Sequence, residues 1–326
     1  MKRLFTLIAL TLVLCSCEKE PENVKLSGPV FGTSYNIVYY SETNTNYETQ
    51  IDSLFEVINQ SMSTYIPDSD ISKFNRNEAV IVDEHFDQVF NASKKIFKET
   101  KGIFDPTIGN VVNAWDFGPD KDKFLTDSVT IANLMENVGF DRIIKVNDRF
   151  IRPDEAYLDF NAIAKGYGID VISNFLWSQG VRNYLVDIGG DLRTAGSNIE
   201  KKKSWTVGID DPNFDGAQSY SKVISLSNRG MATSGTYRKF KIDSNGNRYA
   251  HIIDTKTGYP TKTNVLSVSV IAPNCMLADG YATAFQAMGV EGTRDFIKTH
   301  PELKVYFIYE NEALELKTLS LNGFPE

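Results

Sequence analysis

Apolar residues recur at helical spacing in two segments of the N-terminal half. The apolar face of the first segment consists of Ile51, Leu54, Phe55, Ile58 and Met62. Thr45 and Glu48 form a capping-box pattern at its start, which predicts where this helix begins. The second segment has Phe86, Val89, Phe90 and Phe97 on one face, and Gly102 follows as a stop signal. Two helices are therefore predicted, with a polar loop from Pro67 to Glu78 between them.

Short β-branched and aromatic runs dominate the rest of the chain and predict strands. The predicted strands are Phe31–Tyr40, Arg142–Val146, Tyr184–Asp187, Leu266–Ala272, Lys304–Tyr309, Ala313–Lys317 and three around Trp205, Val223 and Thr236. Asn245-Gly246 marks a hairpin turn. Later helices are predicted over Ala162–Gln179, Met276–Met288 and Thr293–Thr299, and Asp105 is an N-cap before Pro106. Because strands and helices do not strictly alternate, we expect an α+β fold with mainly antiparallel sheet.

The N-terminus has the pattern of an exported lipoprotein. Lys2 and Arg3 precede a short apolar run that ends in Leu-Cys-Ser-Cys, and Ser16 is the small residue expected before a lipidated cysteine. We therefore expect a signal peptide over residues 1–16, a lipidated Cys17 with a polar tether through residue 27, and one folded domain over residues 28–326. Several acyl chains on Cys17 would anchor the protein stably to a membrane. The alternative is an ordinary signal peptide with a chance cysteine.

Charge and the content of cysteine and histidine argue against nucleic acid as a partner, an internal disulfide and a zinc site. The net charge is −8, and there are no basic runs, which argues against nucleic acid as a partner. With Cys15 cleaved off and Cys17 lipidated, Cys275 remains alone, so an internal disulfide is excluded. Three histidines and so few cysteines also argue against a zinc site rich in His or Cys.

Asp279 and Thr283 lie four residues apart on a predicted helix and therefore share one face. A carboxylate and a hydroxyl are hard oxygen ligands, suited to Mg²⁺ rather than Zn²⁺. Backbone carbonyls, water and phosphate oxygens would complete such a site. From spacing alone the simpler interpretation prevails, in which Asp279 caps the helix and Thr283 faces solvent.

The segment from Asp159 to Asp170 reads DFNAIAKGYGID and places a lysine and two glycines around a helix start. Backbone amides at a helix N-terminus, together with Lys165, would suit a pyrophosphate. The alternative is a capped helix whose glycines allow tight packing. Two further glycine segments, Asp187–Asp191 and Thr233–Thr236, are by themselves typical of turns.

His251 is the best histidine candidate for a general base, since it lies where a predicted strand runs into a turn. His85, at a helix start, and His300, just before Pro301, are expected at the surface. A lone histidine is more often structural, so the residue type leaves both roles for His251 open.

Taken together and in order, these blocks resemble the FAD:protein FMN transferase family, also called ApbE-type flavin transferases. The blocks that carry the resemblance are Phe31–Tyr35, Met62–Tyr65 with Ser69–Ser72, Phe104–Thr107 with Trp115–Gly118, Leu158–Asp170, Asp187–Asp191, Ala232–Tyr237, His251–Gly258 and Ala278–Thr283. The resemblance runs from Phe31 to about Gly289. It implies an α+β fold with two related halves that enclose a flavin site.

The resemblance also implies roles for individual residues. Asp279, Thr283 and a backbone oxygen of Ala162 match the Mg²⁺ ligands, and His251 matches the histidine proposed to assist catalysis. Positions lining the FAD site match Phe31, Tyr65, Ile103, Phe104, Asp105, Asp159, Lys165 and Ile253. The chain departs from the family at Phe31, where methionine is usual, at Asp116, where glycine is usual, and at Asn161, where glycine or serine is usual.

The implied reaction is the Mg²⁺-dependent transfer of FMN from FAD to a threonine hydroxyl of an exported flavoprotein subunit, with release of AMP. The implied acceptor resembles subunits of NADH:quinone or ferredoxin-linked reductases, and the implied location is the periplasm-facing membrane of a bacterial envelope. Two alternatives stay open. One is an FAD pyrophosphatase, in which water replaces threonine, and the other is a lipoprotein that binds flavin without turnover.

Overall fold

The computed structural model describes residues 21–119, 127–146, 149–212, 219–236, 240–242 and 248–326. The predicted signal peptide, the lipidated Cys17 and the Asn245-Gly246 turn lie outside these residues. Within them, no helix combines the length and apolar character needed to cross a bilayer.

The described residues form strands and helices in mixed order. The strands are β1 (Glu22–Val30), β2 (Thr33–Ser41), β3 (Ile144–Val146), β4 (Arg149–Ile151), β5 (Tyr184–Ile188), β6 (Asp191–Ala195), β7 (Trp205–Asp210), β8 (Tyr220–Leu226), β9 (Gly230–Gly235), β10 (Phe240–Ile242), β11 (Arg248–Ala250), β12 (Val265–Ala272), β13 (Lys304–Glu310) and β14 (Leu316–Leu321). The helices are α1 (Glu48–Met62), α2 (Asp70–Asn75), α3 (Glu84–Glu99), α4 (Gly109–Ala114), α5 (Ser128–Met135), α6 (Ala164–Ser178) and α7 (Cys275–Phe296).

One large sheet organises the fold. Its strand order is β1-β2-β5-β6-β9-β12-β13-β14, and every neighbouring pair is antiparallel. The predicted α+β class with mainly antiparallel sheet is confirmed, whereas the relation between two halves stays a prediction.

The central strands of this sheet are covered on both faces, because their alternate residues enter different cores. On β12, Val268 and Val270 pack with α3 and α7, whereas Ile271 packs with the β7–β8 hairpin on the opposite face. At the other end of the sheet, β2 and β5 pack against α1 and α6. The helices therefore cover one face of the sheet, and it is between these helices that the candidate site forms.

The N-terminal boundary differs from the prediction. Residues 22–27, predicted as tether, belong to β1, which pairs along its whole length with β2 from Glu22↔Ser41 to Val30↔Thr33. The alternating pattern of Val24, Leu26 and Gly28 is that of an edge strand, with Leu26 buried. Phe31 and Gly32 form the turn between the two strands rather than the start of one. The folded domain thus begins before residue 28.

Two local predictions about helices are wrong. The capping box is not formed, since α1 begins at Glu48 after Tyr47, and Oδ1 of Asn46 accepts the hydrogen bond from the Glu48 N–H. The polar loop contains the short helix α2, whose N-terminus is capped by the Ser69 hydroxyl at Ser72 N–H. The prediction of two C-terminal helices with a break after Met288 is confirmed, since α7 is interrupted at Gly289, whose φ of 71° and ψ of −176° are not helical.

Candidate functional site

A cavity of about 1660 Å³ opens where the helical layer meets the ends of β5, β6 and β9. Every residue assigned a metal, flavin or catalytic role from the sequence lines it. These residues are Phe31, Tyr65, Ile103, Phe104, Asp105, Asp159, Ala162, Lys165, His251, Ile253, Asp279 and Thr283. The fold therefore brings the predicted residues together, while their individual roles stay predictions.

The cavity depends on a close contact between the N-terminal ends of α6 and α7. The N–H of Gly166 donates a hydrogen bond to Oδ2 of Asp279 at 2.9 Å. A Cβ on Gly166 would lie 2.4 Å from the Cys275 carbonyl oxygen and 2.8 Å from the Asp279 Cβ. Only glycine allows this approach, so Gly166 lets the two helix ends pack directly against each other. The alternative of glycines for tight packing is thus confirmed at Gly166.

Three charged side chains line the cavity at this junction. Lys165 Nζ lies 2.5 Å from Oδ2 of Asp191, whose side chain is 3% exposed. The other Asp191 oxygen, Oδ1, accepts a hydrogen bond from the Thr233 N–H at 2.9 Å. Burial lowers the pKa of Lys165, but the carboxylates of Asp191 and Asp279 outweigh it and hold that pKa above its ordinary value. Lys165 is therefore a fixed positive charge at the cavity wall.

Asp279 has little stabilisation for its negative charge. Burial, and then the negative charge of Asp191, raise its pKa to about 7, against the opposing effects of Lys165 and the Gly166 N–H. The prediction that Asp279 caps α7 is wrong, because Asn274 caps this helix at the Leu277 N–H. A buried carboxylate of this kind gains strongly from a bound cation.

The donor set fits a hard divalent cation. Asp279 and Thr283 lie one helical turn apart on α7 and both line the cavity, as does Ala162 just before α6. No hydrogen bond engages the Thr283 hydroxyl in the part of the chain that the structure describes. The same part contains no group of three His, Cys, Asp or Glu side chains that could hold a metal alone. Such a site needs backbone, solvent and phosphate oxygens, which is how Mg²⁺ is usually bound.

Asp105 and Asp159 line the cavity but use their carboxylates for local structure. Asp105 Oδ1 accepts hydrogen bonds from the N–H and hydroxyl of Thr107, and its Oδ2 accepts one from the Phe140 N–H at 3.2 Å. The predicted N-cap before Pro106 is thus confirmed. Asp159 Oδ1 accepts a hydrogen bond from the Asn161 N–H at 2.7 Å. Asn161, which stands where the family usually has glycine or serine, therefore lies in a tight turn.

His251 lies just after β11 and lines the cavity with Ile252 and Ile253. Its ring packs edge-on against Phe117, with the ring centroids 6.2 Å apart. The loop carrying Phe117 is fastened by a hydrogen bond from Trp115 Nε1 to the Gly258 carbonyl at 2.8 Å and by an ion pair between Asp116 and Lys241. Asp116 has φ 59°, the left-handed conformation that favours glycine.

The other two histidines do not line the cavity. His85 Nδ1 lies 2.8 Å from the Tyr167 hydroxyl and is half-buried, and His300 stacks on Phe296 with the ring centroids 4.2 Å apart. Both side chains are partly exposed, so each lies at the surface with one side packed. Tyr167, the partner of His85, lies far away in the sequence, whereas Phe296 precedes His300 by four residues.

Sequence reasoning missed two contributors to the cavity wall. The spacing of Asp187–Asp191 is typical of a turn and gives Asp191 no charged partner, yet Asp191 is the direct partner of Lys165. Spacing favours a turn at Thr233–Thr236, although a strand is predicted around Thr236, and in the structure Thr233, Ser234 and Gly235 form the end of β9 at the cavity. Both depend on strand pairing across the sheet, for which a single sequence carries no local signal.

Comparison with known proteins agrees with this geometry. The model of the ApbE family matches residues 31–307. An FAD:protein FMN transferase of Haemophilus influenzae is 36% identical over 94% of this chain and 92% of its own length. An FAD:protein FMN transferase of Vibrio cholerae is 36% identical over 89% of both chains.

Solved structures give the same result. The flavin transferase ApbE from Vibrio cholerae superposes with a TM-score of 0.83 at 33% identity, covering 92% of this chain and 97% of that one. An ApbE protein from Thermotoga maritima has a TM-score of 0.78 at 27% identity and covers 91% and 96% of the two chains. The chain described here therefore belongs to the ApbE family.

Proposed function

We propose that this protein is a magnesium-dependent FAD:protein FMN transferase that moves FMN from FAD to a threonine hydroxyl of an exported flavoprotein and releases AMP. The observation that carries the proposal is the junction of α6 and α7. There Asp279, the Gly166 N–H and Lys165 meet at the wall of a cavity of about 1660 Å³. A carboxylate that can bind a cation and a fixed ammonium beside it are what a metal-bound diphosphate requires.

Each part of the site has a task in this proposal. Lys165 binds the diphosphate, and Asp279, Thr283 and the Ala162 carbonyl hold the metal. The metal supplies charge neutralisation at the diphosphate when it is bound. Phe31, Tyr65, Ile103, Phe104 and Ile253 supply apolar and ring surface to the flavin nucleotide, and Asp105 and Asp159 hold the loops that carry these residues.

His251 receives the proton of the attacking threonine hydroxyl in this proposal. Its position beside Ile252 and Ile253 at the cavity wall supports a role as proton acceptor, and its contact with Phe117 limits how far the ring can turn. One phosphorus–oxygen bond forms and one breaks. The threonine oxygen forms a bond to the FMN-side phosphorus, the bond from that phosphorus to the bridging oxygen breaks, and AMP leaves with that oxygen.

The same proposal places the enzyme on the periplasm-facing side of a bacterial membrane, held by lipid on Cys17. β1 begins at Glu22, close in sequence to Cys17. The folded domain would therefore lie close to the membrane surface rather than at the end of a long tether. An acceptor subunit of an NADH:quinone or ferredoxin-linked reductase, itself membrane-associated, would meet it there.

The deciding experiment incubates the purified protein with FAD, Mg²⁺ and a candidate acceptor subunit, followed by denaturing electrophoresis and flavin fluorescence. Fluorescence that stays with the acceptor and disappears when its threonine is replaced by valine supports transfer. Free FMN and AMP without acceptor fluorescence identify an FAD pyrophosphatase instead. Binding of FAD without any AMP identifies a flavin-binding lipoprotein.

A further inference from the structure

The C-terminal end of β9 exposes an unpaired stretch of sheet edge inside the cavity. β6 pairs with β9 only at Leu192↔Met231 and Arg193↔Gly230, because β6 starts at Asp191. On its other side, β9 pairs with β12 as far as Gly235↔Ser267. From Ala232 onward, β9 therefore has a strand on one side only. We call the free side of Thr233–Gly235 the β9 edge.

The direction of the backbone groups at this edge follows from two hydrogen bonds. The Thr236 N–H donates to the Leu266 carbonyl at 3.0 Å, so Thr236 and, by alternation, Ser234 direct their backbone groups toward β12. The Thr233 N–H points the other way, to Asp191 Oδ1 at 2.9 Å. By the same alternation, the Thr233 carbonyl and both backbone groups of Gly235 point away from β12.

These three backbone groups find no hydrogen-bond partner among the described residues, and Thr233, Ser234 and Gly235 line the cavity. An unpaired edge of this kind accepts an added strand. The cavity also has room for one. Its volume of about 1660 Å³ exceeds the roughly 300–1,000 Å³ of a pocket for a single small ligand.

The β9 edge lies next to the charged groups of the site. Asp191 contacts the Thr233 N–H with one oxygen and Lys165 Nζ with the other, at 2.9 and 2.5 Å. One carboxylate thus separates the β9 backbone from the ammonium assigned to the diphosphate. A strand added at about 4.8 Å from β9 would end at that point, because Asp191 already fills the place opposite the Thr233 N–H.

Resting on the proposed transferase function, we propose that the acceptor protein presents its threonine on an extended segment that pairs with the β9 edge as an added strand. Gly235 would bond one acceptor residue through both its N–H and its carbonyl, and the Thr233 carbonyl would accept from the acceptor residue two positions away. Main-chain pairing then places the threonine, which lies within a few residues of these two.

The test uses a library of synthetic 11-residue peptides with random sequence around one central threonine, incubated with the full-length enzyme, FAD and Mg²⁺. Mass spectrometry identifies peptides that gain one FMN, and the best of them is then N-methylated at each residue in turn. We expect N-methylation at two residues spaced two apart to lower kcat/KM at least tenfold. Methylation of the residue between them should cost less than threefold, which is the internal control.

The outcomes separate this inference from the function on which it rests. Equal sensitivity at all positions, or at none, overturns strand pairing although transfer has been observed. The same conclusion follows if no peptide is modified while an intact exported flavoprotein gains FMN, since recognition then needs a folded surface. If neither gains FMN while FAD is split, the transferase function fails, and strand pairing of an acceptor fails with it.

A matched pair of variants tests the protein side of the contact. Gly235→Pro removes the N–H from the β9 edge, whereas Gly235→Ala keeps it. We expect the KM for the best peptide to rise at least threefold in Gly235→Pro relative to Gly235→Ala, and equal values contradict the inference. If Gly235→Pro does not fold, the methylation pattern on the peptide decides alone.

Discussion

The N–H of Gly166 on α6 donates to the Asp279 carboxylate on α7, and a Cβ on Gly166 would lie 2.4 Å from the Cys275 carbonyl oxygen, also on α7. This single contact fixes the position of Asp279 relative to Lys165, the neighbour of Gly166. It therefore sets the spacing between the candidate metal ligand and the candidate diphosphate-binding ammonium. Changes at Gly166 should affect packing and function together.

Gly166→Ala should destabilise the fold by roughly 1–3 kcal/mol, because the added Cβ overlaps the backbone carbonyl of Cys275. FAD cleavage should fall by more than the loss of folded protein explains, since the helix ends move apart. Urea unfolding and initial rates measure both effects. Gly292→Ala, at an exposed position of α7, is the control and should change stability by less than about 1 kcal/mol. Equal behaviour of the two variants would contradict the packing argument.

The raised pKa of Asp279 predicts opposite pH trends with and without metal. In the metal-free protein the folded pKa, about 7, lies above the ordinary value of 3.8, so the folded state holds the proton more tightly. The stability contribution of Asp279 is therefore full below pH 4 and is lost as the pH rises toward 7. Mg²⁺ needs the ionised carboxylate, so its stabilising effect should grow over the same range.

Thermal unfolding with and without MgCl₂ at pH 6 and pH 8 checks this trend. The rise in Tm on adding Mg²⁺ should be larger at pH 8 and should vanish in Asp279→Asn. The matched control is Asp295→Asn, an exposed partner of Lys298, which should keep the wild-type response. A Tm response that is the same at both pH values would argue against Asp279 as a ligand.

Variants of Lys165 and Asp191 should distinguish an effect on the free energy of unfolding from an effect on FAD cleavage. Lys165→Met leaves the buried Asp191 without its counter-charge and should cost roughly 1–3 kcal/mol. Adding Asp191→Asn should recover most of that stability, because no buried charge is then left unpaired. FAD cleavage should stay low in both, since the ammonium is gone in both. Recovery of cleavage in the double variant would show that Lys165 only neutralises Asp191.

Asp116 tests a departure from the family pattern. Its φ of 59° suits Gly, Asn or Asp better than Ala. Asp116→Ala should therefore cost about 1 kcal/mol more in unfolding free energy than Asp116→Asn, although both lose the ion pair to Lys241. The unfolding free energy of Asp116→Gly should equal or exceed that of Asp116→Asn. If the three variants are equally stable, the backbone of this loop relaxes freely and the conformation is not what selects the residue.

Local signals predicted those parts of the fold that local contacts determine. The apolar face of α3 is confirmed, with Phe86, Val89 and Phe90 buried, because one helix face must be covered. The Asp105 cap and the β-branched strand β12 are confirmed for similar reasons. Thr45 and Glu48 failed as a capping box because Thr45 Oγ1 bonds the neighbouring Thr43 instead.

The site was predictable only through the resemblance, because its parts meet by tertiary packing. Spacing alone favoured a cap at Asp279 and left His251 open, yet the fold places both at one cavity. Asp191 and the β9 edge were not found, since their positions depend on where β6 begins relative to β9. The edge strand β1 was missed because a polar segment of this length carries a weak alternating pattern that is equally typical of a tether.

The central claim is that the FMN half of FAD ends up on a protein threonine through a metal held at Asp279. The most direct measurement is the molar ratio of acceptor-bound FMN to AMP in one reaction, for the wild type and for Asp279→Ala. We expect a ratio near one for the wild type, with the flavin located on threonine by tandem mass spectrometry, and neither product for the variant. AMP without acceptor-bound FMN, or undiminished labelling by Asp279→Ala, would contradict it.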